Sequence, residues 1–159
     1  MIAVLDTNVW LDWLVFDDPG VRPLRAAVED RGLGAGDGLR LSDGLRLVAS
    51  DATRAELAAV LQRPRIHPSL PAEAERCLDE FDRLVSLVAN PPASDLPCRD
   101  PDDQMFIDLA VAVGARWLLT KDKALLALAR AAWRRHAVRV LDPVHWPRDA
   151  SESSESSED

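Results

Sequence analysis

Short apolar runs recur along the chain and alternate with stretches in which apolar residues return every three or four positions. The runs are Ile2 to Leu5, Leu45 to Ala49, Val85 to Val88, Trp117 to Thr120 and Val138 to Leu141. Their Val, Ile, Leu and Trp content suits enclosed strands. Between them, Leu57, Val60 and Leu61 mark one face of a helix that starts after Ser50 and Asp51, while Met105, Phe106, Leu109, Ala110 and Val113 keep a helical period. A further helix over about residues 72–84 follows Pro71, a residue that suits a first turn. Leu125, Leu126, Leu128, Ala129 and Ala132 predict another, and one more begins near Val9. Strands alternating with helices predict βα units and a mostly parallel sheet in a three-layer α/β domain.

Two stretches stand outside this pattern. Residues Gly32 to Gly44 hold five glycines and include Asp-Gly-Leu-Arg-Leu, a pentapeptide that occurs at Asp37 to Leu41 and again at Asp43 to Leu47. This reads as a flexible excursion or an added hairpin before the second strand. The end of the chain, 148–159, is largely Ser and acid and is expected to be a disordered tail after a single domain over 1–147.

Charge matters mainly through its location. The formal net charge is −8, but five carboxylates and no base lie between Asp149 and Asp159, so the rest of the chain carries only −3. Bound divalent cations would bring that body close to neutral, so an acidic balance does not exclude RNA or DNA as a partner. No apolar run approaches the roughly 20 residues needed to cross a bilayer. With no signal-peptide pattern and only Cys77 and Cys98 as thiols, the expectation is a soluble cytoplasmic protein without a structural disulfide.

Candidate chemistry sits where strands end. In open parallel sheets the ligand crevice lies outside the carboxyl ends of the strands. Asp6 follows the first strand, Glu56 lies in the opening turns of the helix after the second, and Asp122 follows Trp117-Leu118-Leu119-Thr120. Asp103 joins them if its helix begins at that edge, with Asp100 and Asp102 as rivals in Asp100-Pro101-Asp102-Asp103. Asp6, Asp122 and Thr120 could instead be simple helix caps, and Glu56 could be a surface residue favourable to a helix dipole. Gathered together, however, four carboxylates would raise one another's pKa and destabilise the fold unless divalent cations balanced them. An all-oxygen donor set without His or Cys at ligand spacing suits Mg²⁺ or Mn²⁺ rather than Zn²⁺. Two such ions can clamp a phosphodiester, activate water and stabilise the leaving oxygen.

Asp6-Thr7-Asn8 after an N-terminal strand, Arg54-Ala55-Glu56-Leu57, Asp103 leading to Phe106-Ile107-Asp108-Leu109-Ala110 and Gly114-Ala115, and Thr120-Lys121-Asp122 together resemble the PIN domain. The resemblance covers residues 1 to about 147 and is strongest to the bacterial toxins of toxin–antitoxin pairs. It implies a Rossmann-like three-layer α/β/α sandwich and a Mg²⁺- or Mn²⁺-dependent endoribonuclease acting on single-stranded RNA. Asp6, Glu56, Asp103 and Asp122 match the family's four acidic positions, and Asn8 and Thr120 the polar positions beside them. An antitoxin protein and a second copy of the chain are the implied partners. A PIN-like module that binds RNA or protein without turnover, or an RNA-processing nuclease outside a toxin–antitoxin pair, are the alternatives. A dehalogenase-type phosphatase also has an Asp after its first strand but needs a second Asp two residues on, where this chain has Asn8.

For substrate contact, Lys121 and Lys123 flank Asp122 and are candidates to touch the scissile strand. Arg130, Arg134, Arg135, His136 and Arg139 form the densest basic cluster, either a phosphate-binding surface or a solvated helix end. Trp10 and Trp13 could stack bases, although core packing or a dimer face is the simpler expectation. Arg22, Arg25, Arg63 and Arg65 read as surface charges that could meet an acidic partner, and His67 and His145 carry no catalytic signal.

Overall fold

A computed structural model describes residues 1–33, 45–63 and 71–146. Its five strands are β1 (Ile2–Leu5), β2 (Arg46–Ser50), β3 (Val85–Val88), β4 (Trp117–Leu119) and β5 (Arg139–Leu141). All neighbours pair in parallel, in the order β3-β2-β1-β4-β5. The chain therefore builds outward from β1 on one side, then returns to β1's other side to lay down β4 and β5. The topological switch point falls between β1 and β4, where connections leave in opposite directions and open a crevice.

Side chains alternate along each strand and divide the core into two layers. Ala3, Leu5, Leu47, Ala49, Trp117 and Leu119 face one way. They pack against α1 (Thr7–Leu11), α2 (Arg22–Leu33), α3 (Asp51–Leu61) and α4 (Pro71–Leu84), which supply Trp10, Leu24, Leu57 and Phe81 among others. Val4, Val48, Leu118 and Val140 face the other way. There they meet α5 (Gln104–Ala112), α6 (Lys123–Leu126) and α7 (Ala129–His136) through Phe106, Ile107, Leu125 and Ala132. The result is the expected Rossmann-like sandwich. Among the described residues no helix is long and apolar enough to cross a membrane, and Cys77 and Cys98 are free thiols.

Several local details differ from the sequence reading. α2, not among the predicted helices, carries a core stripe of Leu24 and Val28, continued from Val21 just before it. The helix expected near Val9 begins at Thr7, because Asp6 caps it, and it runs directly into a π-helical turn, Asp12–Phe16. What looked like one helix around Leu125 is two, α6 and α7, separated at Ala127 and Leu128. β5 starts at Arg139 because the Val138 N–H is still bonded to the Ala132 carbonyl, 3.2 Å away. α5 ends in a Schellman motif, with Ala115 N–H on the Ala110 carbonyl (2.9 Å) and Gly114 N–H on the Val111 carbonyl (3.2 Å). Gly114 takes φ 65° there, a left-handed conformation that favours glycine. Trp10 and Trp13 are core residues, 5.3 Å apart by ring centroids, with Phe81 4.7 Å from Trp10. They are not exposed for base stacking. Most of the glycine-rich stretch, the acidic tail, Arg65 and His67 lie outside the described residues.

Candidate functional site

The carboxyl ends of β1 and β4 open into a cleft of about 200 Å³ lined by Asp6, Thr7, Asn8, Glu56, Val60, Arg63, Asp103, Phe106 and Asp122. All four acids singled out in the sequence line this one cleft. Each is delivered by a different element. Asp6 leaves β1, Glu56 projects from α3, Asp103 stands at the start of α5, and Asp122 leaves β4.

Asp6 is only 4% exposed and is held by three hydrogen bonds. Its Oδ1 accepts from the Asn8 N–H (2.8 Å) and the Val9 N–H (3.4 Å), which caps α1. Its Oδ2 accepts from the Thr120 hydroxyl at 2.5 Å. That hydroxyl also accepts from the Asp122 N–H at 2.9 Å, so Thr120 ties the two strand ends together. Asp122 in turn caps α6, its Oδ1 accepting from the Ala124 N–H at 2.7 Å. The cap and ligand roles weighed as alternatives in the sequence are thus compatible. A carboxylate has two oxygens and about four acceptor sites, and a cap uses one or two of them.

Asp103 occupies the cap position of α5 without using its side chain for the cap. The turn before it, Pro101–Asp103, is capped by Asp100, whose Oδ1 accepts from the Asp102 N–H at 3.0 Å. Oxygens of Asp100, Asp103 and Asp122 lie within 4.8 Å of one another, at separations one cation could bridge, and Asp102 is outside that group. Gln104 fixes the approach to this corner. Its Oε1 accepts from the Cys98 N–H (2.7 Å), and its amide donates to the Leu96 carbonyl and to Asp108 Oδ1 (both 2.9 Å). Asp108 Oδ1 also accepts from the Ser94 N–H at 2.9 Å. These bonds pin 94–98 across the head of α5.

The electrostatics are those of crowded anions. Burial pushes the Asp6 carboxyl above its ordinary value, against its hydrogen bonds, and Asp122 adds to the rise. Glu56 is raised by burial and then by the negative charges of Asp6 and Asp102, while Arg63 opposes the rise. Asp103 is pushed from 3.8 to about 7 by burial, by proton sharing with Asp122 and by the charges of Asp122, Asp100 and Asp6. Two buried oxygens in the cleft, Glu56 Oε1 and Asp103 Oδ2, have no hydrogen-bond partner. Orphaned acceptors of this kind are costly unless a cation or donor meets them. Hard divalent cations fit this donor set, which is all oxygen and in need of positive charge.

The expected substrate contacts fare differently. Asn8 is exposed and lines the cleft. Thr120 is fully buried and braces Asp6 and Asp122, so it does not reach a substrate. Lys121 is ion-paired with Asp12 and Lys123 is exposed, and neither lines the cleft. In the basic cluster, Arg135 and His136 both engage Asp95 (3.5 and 2.6 Å), and the Arg139 guanidinium stacks over Trp133 at 4.1 Å. That cluster is therefore largely committed to the protein's own surface. Arg22 and Arg25 pair with Asp17. Arg63 is an exposed surface charge, as expected, and it also lines the acidic cleft. It stands just past the end of α3, the helix that carries Glu56.

An all-parallel sheet with an oxygen-lined acidic cleft at its switch point defines an α/β protein with a centre suited to divalent cations. Residues 3–124 match the family model of the PIN domain, and the chain belongs to that family, whose members are generally nucleases that use divalent metals. Among solved structures, VapBC2 from Rickettsia felis, crystallised with a DNA fragment from its promoter, contains a chain of similar fold. The match has a TM-score of 0.53 and 15% identity and covers 88% of this chain and 97% of that one. No curated protein matches the sequence.

Proposed function

We propose that this protein is a Mg²⁺- or Mn²⁺-dependent endoribonuclease that hydrolyses single-stranded RNA, and that it is the toxin of a toxin–antitoxin pair. The observation that carries the reading is the meeting of Asp6, Glu56, Asp103 and Asp122 in one cleft, with two of their buried oxygens unpartnered. Membership of a nuclease family supports hydrolysis of a phosphodiester. The fold likeness to a chain of a VapBC toxin–antitoxin complex supports an antitoxin and a second copy of the chain as partners.

Asp6, Glu56, Asp103 and Asp122 would hold the ions, with Asp100 positioned to assist Asp103 and Asp122. Bound there, divalent cations supply Lewis acidity, which makes water nucleophilic near neutral pH and offsets charge on the phosphate. The protein contributes preorganisation. Thr120 and the two N–H groups on Asp6 fix that carboxylate before substrate arrives, so no reorganisation is needed at the moment of reaction. The Asn8 amide, exposed at the mouth, offers N–H donors to a phosphate oxygen, and its neutrality avoids adding a fifth repelling charge. Hydrolysis joins the water oxygen to phosphorus and breaks the bond to the 3′ oxygen, which takes a proton and leaves as a hydroxyl. The products are a 5′-phosphate and a 3′-hydroxyl.

The test is cleavage of a labelled single-stranded RNA with and without Mn²⁺ by the wild type, Asp6→Asn and Asp122→Asn. Asn still caps a helix, so both variants should fold while losing at least about a hundredfold in rate. Variants that cut as fast as the wild type after removal of contaminating nucleases would sink the assignment. A wild type that binds RNA but never cuts it would mark a binding module instead.

A further inference from the structure

The acidic cleft has one cation in its wall among the described residues, and its neighbours explain why that matters. Arg63 follows α3, seven positions after Glu56, with Val60 between them on the same face. All three line the cleft, which therefore reaches past the end of α3 to Arg63. α3 ends at Leu61, so Arg63 stands just past its last turn. It lies outside the group of Asp100, Asp103 and Asp122, although its charge opposes the rise of the Glu56 carboxyl. Other cations nearby are engaged. Arg54 binds Asp82 through two hydrogen bonds of 2.8 Å, and Lys121 is ion-paired with Asp12. Arg63 is exposed and has no ion pair among the described residues.

Charge balance gives this arrangement a purpose. The four carboxylates lining the cleft and two divalent ions sum to zero, Asp100 beside them adds one negative charge, and every phosphate of a bound strand adds more. The metal centre can offset the phosphate under attack, but it leaves the next one along the cleft uncompensated. A guanidinium suits that position because its planar fork of N–H donors matches phosphate oxygens.

We propose that Arg63 is a substrate-binding residue, clamping a phosphate of single-stranded RNA next to the scissile one and setting the path of the strand along α3. The contact reads the backbone, so it confers affinity and register without base preference. This inference rests on the ribonuclease reading above.

The experiment measures Mn²⁺-supported cleavage of a labelled single-stranded RNA by the wild type, Arg63→Ala and Arg63→Lys across a range of KCl concentrations. Calorimetric titration of each protein with Mn²⁺ alone, without RNA, accompanies it. Arg63→Ala should raise KM about tenfold, with the loss falling on KM rather than kcat. The slope of log(1/KM) against log salt should become shallower by about one. Arg63→Lys should keep the salt slope and recover part of the affinity, and Mn²⁺ should bind Arg63→Ala no more weakly than the wild type. If Arg63→Ala matches the wild type in KM and salt slope while the wild type cuts RNA, the inference is wrong and the nuclease reading stands. If the loss instead follows weakened Mn²⁺ binding, Arg63 merely tunes Glu56 and the phosphate clamp is refuted. A wild type that cuts no RNA overturns both. Because Arg63 is exposed, circular dichroism should show all variants folded, and Arg63→Gln replaces Arg63→Ala if it does not.

Discussion

Without metal, the cleft should make the protein less stable as pH rises through the neutral range. The cause is the crowding of Asp103 and Asp122, supported by Asp6 and Glu56. Asp103 is raised from 3.8 to about 7, so the folded state holds a proton that the unfolded chain has lost. The sign follows directly. Stability is greatest below about pH 4, falls through the window up to about pH 7 and is level above it. The raised carboxyls of Asp6 and Glu56 act in the same direction. Asp82 and Asp95 are lowered by Arg54 and His136, and their contributions change only below 3.8, outside the range tested. The shift at Asp103 sets a ceiling of about 4 kcal/mol. Because this corner is partly open to water, screening reduces it to about 1–2 kcal/mol. For a chain of this size that corresponds to a fall in Tm of about 2–8 °C. The assay is thermal unfolding in EDTA at pH 5 and pH 8 for the wild type and Asp103→Asn. The wild type should melt lower at pH 8, Asp103→Asn should lose at least half of that difference, and Mn²⁺ should raise the pH 8 Tm of the wild type much more than that of the variant. A wild-type Tm that is flat or rising from pH 5 to pH 8, or an equal fall in Asp103→Asn, would refute the reasoning.

Other expectations follow from the bracing of the site and the core. Thr120→Val removes the hydroxyl shared by Asp6 and Asp122 and should cost about 1–3 kcal/mol in urea unfolding and about 10–100-fold in cleavage rate; wild-type values on both counts would show that the bridge is incidental. Gln104→Ala should free the 94–98 segment and weaken Mn²⁺ binding about tenfold by calorimetry, and unchanged affinity would remove Gln104 from the support of the site. Trp13→Ala empties a core position beside Trp10 and should destabilise by about 3–5 kcal/mol; a soluble, stable variant defective only in RNA binding would instead favour the base-stacking role.

Much of the fold was legible because it depends on local pattern. β1 and β3 begin and end where the apolar runs do, and the other strands shift only at their ends, where hydrogen bonds to neighbouring elements decide the boundary. The four acids could be found because each sits at a fixed offset from an element end. Less accessible was anything that depends on which end meets which. Thr120 and Lys121 are adjacent, yet one turns inward to join Asp6 and the other outward to Asp12, a distinction made by the pairing of β1 with β4. Arg63 is the surface charge expected of it, but its place beside the acids depends on the cleft and not on any local pattern. α2 is signalled only by the sparse stripe of Val21, Leu24 and Val28, and the glycines that follow from Gly32 mask its end.

The Thr120 bridge also bears on when the protein becomes active during its synthesis. Asp6 is made well before its partners, since the hydroxyl that holds it and the Asp122 beside it come 114 and 116 residues later. β1 can pair with β2 early, yet its other edge waits for β4, and contacts so distant in sequence form late. A growing chain that has not passed Asp122 has its first acid unbraced and its last acid missing. On the ribonuclease reading proposed above, the growing chain would cut no RNA until β4 docks and completes the cleft.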